Sequence, residues 1–140
     1  MTWLIIHAIA TWFMVGLIWT IQSVHYPLFG RVGAGDLIGY ETEHTERMVR
    51  LLAIPAVAEI STGAALVWTR PAEVGLWLVL AAGALLVAIW TATAFVQVPL
   101  HRRLGDQPDA SVVVQLVRSN WLRTGLWTLR GVLVAVMLVL

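Results

Sequence analysis

Four side chains of this sequence have types and spacing that could ligate a transition metal. Glu41 and His44 stand three residues apart, the spacing at which bundle helices present a carboxylate and an imidazole to one ion. His25 and His101 lie at the ends of two other apolar segments. Together the four predict a three-histidine, one-carboxylate site suited to Fe, Cu, Zn or Mn. The alternative is that they are interfacial side chains bonded to backbone and headgroups.

Polar residues at the same depth could support such a site. The amides of Gln22, Gln97 and Asn120 are predicted to orient the metal ligands by hydrogen bonds. Asn120 and Arg123 are predicted to orient a substrate beside the metal.

Two opposite charges lie near the middle of their apolar segments, Glu59 and Arg130. Either charge alone in hydrocarbon costs roughly 2.5–3.5 kcal/mol on insertion scales. Their matching depth predicts a buried ion pair. The ion pair could serve only to hold two helices together. Alternatively, either Arg130 or Arg123 could bind an anionic or quinone-like ligand while Glu59 takes a proton.

His7 stands apart from the other histidines, on an otherwise apolar stripe of the first segment. Such a histidine is usually a hydrogen-bonded core residue. The other role that we consider is an axial ligand of haem.

Membrane-spanning helices must position these residues. Of the 140 residues, 59% are hydrophobic and 12% are charged, whereas soluble domains carry about a quarter charged residues. Four segments have the roughly 20 apolar residues that a span requires, at about 3–25, 44–69, 76–100 and 120–140. The prediction is one all-α domain over 1–140, a four-helix transmembrane bundle in antiparallel up-down-up-down order. The absence of Cys excludes disulfides and thiolate sites.

Polar residues within the four segments recur at helical spacing and form one stripe on each predicted helix. The stripes are His7, Thr11, Met14, Ile18, Gln22 and His25; Glu41, His44, Met48, Leu52, Pro55, Glu59 and Thr62; Trp90, Ala94, Gln97 and His101; and Asn120, Arg123, Trp127 and Arg130. An unsatisfied polar group in lipid costs several kcal/mol. We therefore expect the four stripes to face one another.

Proline and loop residues predict where the helices begin and end. The first helix should stop at Tyr26 and Pro27, because the residue before a proline disfavours the helical conformation. Pro55 should kink the second helix. A short amphipathic helix is expected from Ala110 to Arg118, with the last span beginning near Asn120.

Arginines concentrate at one end of the predicted bundle, where the first and third loops lie; we call it the Arg-rich end. It carries Arg31, Arg47, Arg50, Arg102, Arg103, Arg118 and Arg123, whereas Arg70 alone lies outside the membrane at the other end. The positive-inside rule then predicts a bacterial inner-membrane protein with both termini outside the cytoplasm. Its expected partners are the lipid bilayer, a lipophilic small molecule and further copies of itself, and its near-zero net charge argues against nucleic acid.

Several motifs resemble those of known proteins. The runs His25-Tyr-Pro-Leu-Phe29, Glu41-x-x-His44-x-x-Arg47-Met48, Gln97-Val-Pro-Leu-His101 and Asn120-Trp-x-Arg-Thr124 resemble a family of small, uncharacterised bacterial four-span membrane proteins, a resemblance that implies no activity. The run His7-Ala-Ile-Ala-Thr-Trp-Phe13 with Gly16-Leu17 is similar to the start of the haem-pathway membrane protoporphyrinogen oxidases, which implies a haem role for His7. Anthrone-oxygenase-like membrane proteins are similar in size and span count.

The first functional hypothesis is a metal-dependent oxidoreductase or oxygenase that acts on a membrane-soluble substrate at the Arg-rich end. The second is a non-enzymatic accessory or ligand-binding subunit, for haem or a quinone. The third is a small oligomeric transporter with a proton pathway along Glu59, Arg130 and His7.

Overall fold

The computed structural model describes residues 1–140, which form four long helices and no strand. Helix α1 spans Thr2–Phe29, α2 spans Leu37–Thr69, α3 spans Leu76–Asp106 and α4 spans Ala110–Val139. Each is long and apolar enough to cross a bilayer. The chain is thus a multi-pass integral membrane protein, and the all-α, four-helix prediction is confirmed.

Three layers of apolar side chains hold the helices together. The layer at the Arg-rich end includes Phe29, Leu104 and Leu116, and the layer at the opposite end includes Leu4 and Leu66. The middle layer is formed by Met14, Val15, Ile18, Leu86, Ile89 and Trp127. The start of α1 thus packs with the end of α2, the start of α3 and the end of α4, which is the distribution that alternating helix directions produce.

Helices α2 and α3 separate along part of their length. Helix α1 packs against α2 and α4, and α3 packs against α4. Helix α2 contacts α3 along Leu76–Ala92 and along Val98–Asp106, but not along Thr93–Gln97 between these stretches. A gap between two helices therefore lies beside the residues of the predicted site.

Pro27, which was expected to end the first helix, lies inside it, and Pro99 lies inside α3. Helix α1 continues through Pro27 to Phe29, so the predicted stop at Tyr26 was wrong. A π-helical turn precedes each proline, over Ile21–His25 in α1 and over Thr93–Gln97 in α3. A proline ring clashes with the carbonyl four residues before it, and a wider turn relieves that clash. In keeping with this, the Tyr26 N–H donates to the Ile21 carbonyl, five residues back.

Helix α4 also differs from its prediction. The expected short helix and last span form one unbroken helix over Ala110–Val139. Its start is capped by Asp109, whose carboxylate accepts a hydrogen bond of 2.8 Å from the Ser111 N–H. Hydrogen bonds from the Ser111 side chain and backbone hold the pKa of Asp109 below its ordinary value.

The polar stripes face the interior of the bundle, as expected. Every member of the stripes on α1, α2 and α4 is buried or partly buried. On α3 the exception is Ala94, which is exposed, while its neighbour Thr93 lines the interior. The π turn explains this difference, since it changes which residues of α3 share a face. The structure thus brings the costly polar groups of four helices together.

Candidate functional site

The three histidines at the Arg-rich end form a stacked column. His25 Nε2 lies 2.8 Å from His44 Nδ1, and their ring centroids are 4.6 Å apart. The ring of His101 stacks with that of His44, and their centroids are 5.2 Å apart. At most one of the two nitrogens in the His25–His44 contact carries a proton, because a hydrogen bond requires an acceptor. The sequence prediction that these side chains converge is therefore confirmed.

Glu41 and Tyr26 hold the two ring nitrogens of His101. His101 Nδ1 lies 2.7 Å from Glu41 Oε1, which also accepts a 2.8 Å hydrogen bond from the Thr45 hydroxyl. His101 Nε2 lies 3.1 Å from the Tyr26 hydroxyl oxygen. The Tyr26 hydroxyl also lies 3.3 Å from Gln97 Oε1. A hydrogen-bonded row thus runs from Glu41 through His101 to Tyr26.

The chemistry of these groups fixes the direction of the row. An ionised carboxylate only accepts hydrogen bonds, so His101 Nδ1 carries a proton and donates to Glu41. The Nε2 lone pair of a neutral His101 is then an acceptor. The single Tyr26 hydroxyl proton therefore has two acceptors within reach, His101 Nε2 at 3.1 Å and Gln97 Oε1 at 3.3 Å. The order carboxylate, imidazole, hydroxyl is the order in which enzymes arrange a base to act on a hydroxyl group.

This arrangement does not fit the predicted metal site. The donors are of the right type, but no group of three histidine or acidic side chains is placed to hold a metal ion. The reason is the hydrogen bonding, because both nitrogens of His101 and one of Glu41's oxygens are occupied. Only the other Glu41 oxygen, Oε2, is buried without a partner. For His101 to ligate a metal, either Tyr26 or Glu41 would have to leave one of its ring nitrogens.

Arg123 is a cation without a carboxylate partner on the same side of the bundle. Its Nη1 donates a 3.0 Å hydrogen bond to Asn120 Oδ1, and Asn120 Nδ2 donates a 2.8 Å hydrogen bond to Gln22 Oε1. The guanidinium lies close to the Tyr26 hydroxyl, and its Nε is buried without a partner. None of the five ion pairs includes Arg123. Gln22 and Asn120 thus orient Arg123. The sequence had instead predicted that these two amides orient the metal ligands.

A cavity of about 750 Å³ connects this polar group with the apolar middle of the bundle. Its polar end is formed by Tyr26, Glu41, His44, Gln97, His101 and Arg123, and its apolar walls include Met14, Ile18, Leu52, Trp90 and Trp127. Exposed residues of α2 and α3, such as Val49 and Val98, lie at its edge. The cavity is within the size range of sites for drug-sized ligands.

Glu59 and Arg130 form the predicted ion pair in a separate, deeper polar layer. Arg130 Nη2 lies 2.5 Å from Glu59 Oε2 and 2.9 Å from His7 Nε2, and Nη1 donates to the Ala82 carbonyl. The exposed fractions of the Arg130 and Glu59 side chains are 1% and 0%. None of Glu59, Arg130 and His7 lines the cavity, whose apolar walls belong in part to the middle apolar layer.

His7 belongs to the ion-pair layer. A guanidinium only donates, so His7 Nε2 accepts from Arg130 and the proton sits on Nδ1. That nitrogen lies 2.7 Å from the Thr62 hydroxyl oxygen, which in turn donates to the Ala58 carbonyl. With both nitrogens bonded, His7 has no free lone pair to offer a haem iron in this arrangement.

Tyr26 is the site residue that the sequence analysis did not single out. It is 3% exposed and lies one position after the stripe of α1. The π turn over Ile21–His25 adds a residue to the helix turn and rotates Tyr26 inward together with His25. The signal in the sequence was Pro27, whose ring clashes with the carbonyl four residues before it unless the preceding turn widens or bends.

Known proteins add no assignment to this geometry. No protein-family model matches the chain, and neither the curated proteins nor the solved structures contain a significant match.

Proposed function

We propose that this protein binds a lipophilic small molecule in the 750 Å³ cavity, with the polar head of the ligand at Tyr26, His101 and Arg123. The observation that carries the proposal is the union, in one cavity, of an apolar wall and an unpaired cation. Apolar sites with a few converging polar groups are typical of small-molecule binding sites.

The membrane environment determines which part of the ligand provides selectivity. Lipid tails are as apolar as the walls of the cavity, so a hydrocarbon chain gains little by leaving the bilayer. Hydrogen bonds and charges are stronger in a low-dielectric site than in water. The head of the ligand, bound by Arg123 and its neighbours, therefore supplies most of the preference, which favours heads that carry oxygen, such as quinones or anions.

The gap between α2 and α3 supports entry from the bilayer. The two helices do not contact each other along Thr93–Gln97, at the level where Thr93 and Gln97 line the cavity. The orientation proposed from the arginines places this polar end on the cytoplasmic side, in a bacterial inner membrane.

The proposal is tested by binding of a benzoquinone with a decyl chain to protein in nanodiscs. Quinones quench tryptophan fluorescence, and Trp90 and Trp127 line the cavity. We expect saturable quenching that is lost in Ala56→Phe, which fills the cavity wall. Ala88→Phe is the matched control, since Ala88 is exposed and lies outside the cavity. Equal quenching in both variants would show that the quinone dissolves in lipid and does not enter the cavity.

An oxidoreductase or oxygenase is the second candidate, and Glu41 Oε2, buried without a partner beside three imidazoles, is the observation in its favour. That activity needs a redox group, and no group of three histidine or acidic side chains is placed to hold a metal ion. Elemental analysis of the purified protein tests it. A ligand-binding subunit is the class of function proposed here. An accessory subunit without a ligand and a transporter have less support, because the first requires no cavity and the lining of the cavity includes none of Glu59, Arg130 and His7, the residues of the expected proton pathway.

A further inference from the structure

The hydrogen-bonded row runs from Glu41 through His101 to Tyr26, and Tyr26 lines the cavity. We infer that Glu41, His101 and Tyr26 are a proton relay, and that the ligand is a lipophile whose head carries an acidic hydroxyl group, such as a phenol, quinol or enol. This inference rests on the proposed cavity function and names the class of its ligand. It also gives the histidine cluster a role other than metal binding.

The proton transfer balances with groups that are all present. The hydroxyl group of the ligand gives its proton to the Tyr26 oxygen, while the Tyr26 proton moves to His101 Nε2, 3.1 Å away. The O–H bond of the ligand breaks, and the ligand becomes an oxyanion. His101 becomes an imidazolium, bonded through Nδ1 to the Glu41 carboxylate at 2.7 Å.

Arg123 explains why the oxyanion is stabilised. Before the transfer, its guanidinium has no carboxylate within 4.0 Å, and Glu41 has a neutral imidazole beside it and no cation. After the transfer, the oxyanion lies beside Arg123 and the imidazolium beside Glu41. Two separated charges in a low-dielectric site are thus replaced by two close pairs, which is favourable.

The other titratable groups around His101 do not supply a competing charge pair. His44 stacks on His101, and His25 is bonded to His44, 2.8 Å away. Glu46 and Arg102 stand at the edge of the cavity, where both are exposed. Glu41 is the one buried carboxylate at this end, so it determines where the transferred proton is held.

The test uses an alkylated para-nitrophenol, whose phenolate absorbs visible light, and its methyl ether, which has no proton to give. Both are titrated with the full-length protein in nanodiscs over a range of pH. In the wild type, we expect binding to lower the apparent pKa of the phenol by about 1 to 2, the effect of a close opposite charge and a proton acceptor. The methyl ether measures occupancy of the cavity independently of the relay.

Tyr26→Phe removes the hydroxyl group and leaves Arg123 and the shape of the cavity. Because Tyr26 contacts the head of the ligand, we expect this variant to bind both probes more weakly than the wild type, so the phenol's pKa is compared at probe concentrations that the methyl ether shows to saturate the cavity. Under those conditions most of the lowering of the phenol's pKa should be lost. His101→Asn should do the same. His25→Asn is the control, since His25 neither lines the cavity nor contacts Tyr26 or Glu41 through a hydrogen bond.

The outcomes separate the relay from the cavity. If the methyl ether binds but the phenol stays neutral in the wild type, or ionises equally in Tyr26→Phe, the relay is overturned and the binding cavity stands. If neither probe binds, the proposed function fails and the relay fails with it. A lowered pKa in the wild type that disappears in Tyr26→Phe and His101→Asn, but not in His25→Asn, supports the relay.

Discussion

The buried ion pair between Glu59 and Arg130 makes the sharpest prediction about stability. Removing one member of a buried pair leaves an uncompensated charge and costs about 3–5 kcal/mol. Arg130→Met removes the sole hydrogen-bond partner of Glu59, since Oε2 bonds Arg130 and Oε1 has none, and leaves only His7 Nε2, 4.0 Å from Oε2. Glu59→Leu leaves Arg130 with two acceptors, His7 and the Ala82 carbonyl. We therefore expect Arg130→Met near the upper end of that range and Glu59→Leu near the lower end.

The doubly substituted protein shows whether the two charges interact, because its loss of stability can be compared with the sum of the losses in the two single variants. Glu59→Leu with Arg130→Met leaves neither charge in the bilayer, and we expect it to lose about 2 kcal/mol or less, because apolar replacements of buried pairs are often neutral. The assay is reversible unfolding in mixed micelles with increasing dodecyl sulfate, followed by circular dichroism.

An exposed pair on the same helix provides the control. The Arg50 and Glu46 side chains are 78% and 62% exposed and 3.4 Å apart, so their double-mutant cycle should give a coupling of about 0.5 kcal/mol or less. The reasoning is refuted if the double substitution at positions 59 and 130 costs the sum of the single ones. That result would mean that the two charges do not interact in the membrane.

Three further predictions concern packing, orientation and metal content. Gly131→Ala should lower the free energy of unfolding by about 1–3 kcal/mol relative to Gly125→Ala. The reason is that a Cβ added at 131 meets Val15 Cγ2 at 3.0 Å, whereas one added at 125 meets nothing within 4 Å. Equal stabilities of the two variants in the same unfolding assay would contradict the α1–α4 packing. Since the chain has no Cys, single cysteines can be labelled in intact cells with a membrane-impermeant maleimide. Labelling of Glu73→Cys but not of Gly35→Cys or Gln107→Cys is expected, and the reverse pattern would invert the proposed orientation. Elemental analysis and a visible spectrum of the purified protein should show far less than one metal ion or haem per chain, and a stoichiometric metal that His44→Ala removes would restore the metal centre and exclude the relay.

The sequence predicted the parts of the fold that depend on the cost of polar groups in lipid. The 3.6-residue spacing of polar residues in each segment indicated which faces turn inward. The common depth of Glu59 and Arg130 indicated their pairing, and both results are in the structure. The convergence of three histidines followed from the same argument.

The predictions that failed depend on local backbone geometry and on which atom bonds which. An ideal helical period cannot place Tyr26, because the π turn before Pro27 changes the period at that point. Spacing also cannot decide whether His101 gives its nitrogens to a metal or to Glu41 and Tyr26, since that depends on ångström-scale separations. The buried, hydrogen-bonded position of His7 was predicted correctly, but spacing could not identify its partner Arg130, which lies 123 positions away in the chain.

The central claim is that a lipophile enters the cavity between α2 and α3, and photolabelling tests it most directly. A lipophilic phenol with a diazirine on its chain is irradiated with the protein in nanodiscs, with and without excess unlabelled phenol, and modified residues are found by mass spectrometry. We predict competed labelling at Leu52 and Trp90, which line the cavity. Labelling at the lipid-facing neighbours Leu51 and Ile54, 46% and 80% exposed, should not be competed. Equal, uncompeted labelling of both sets would contradict the account.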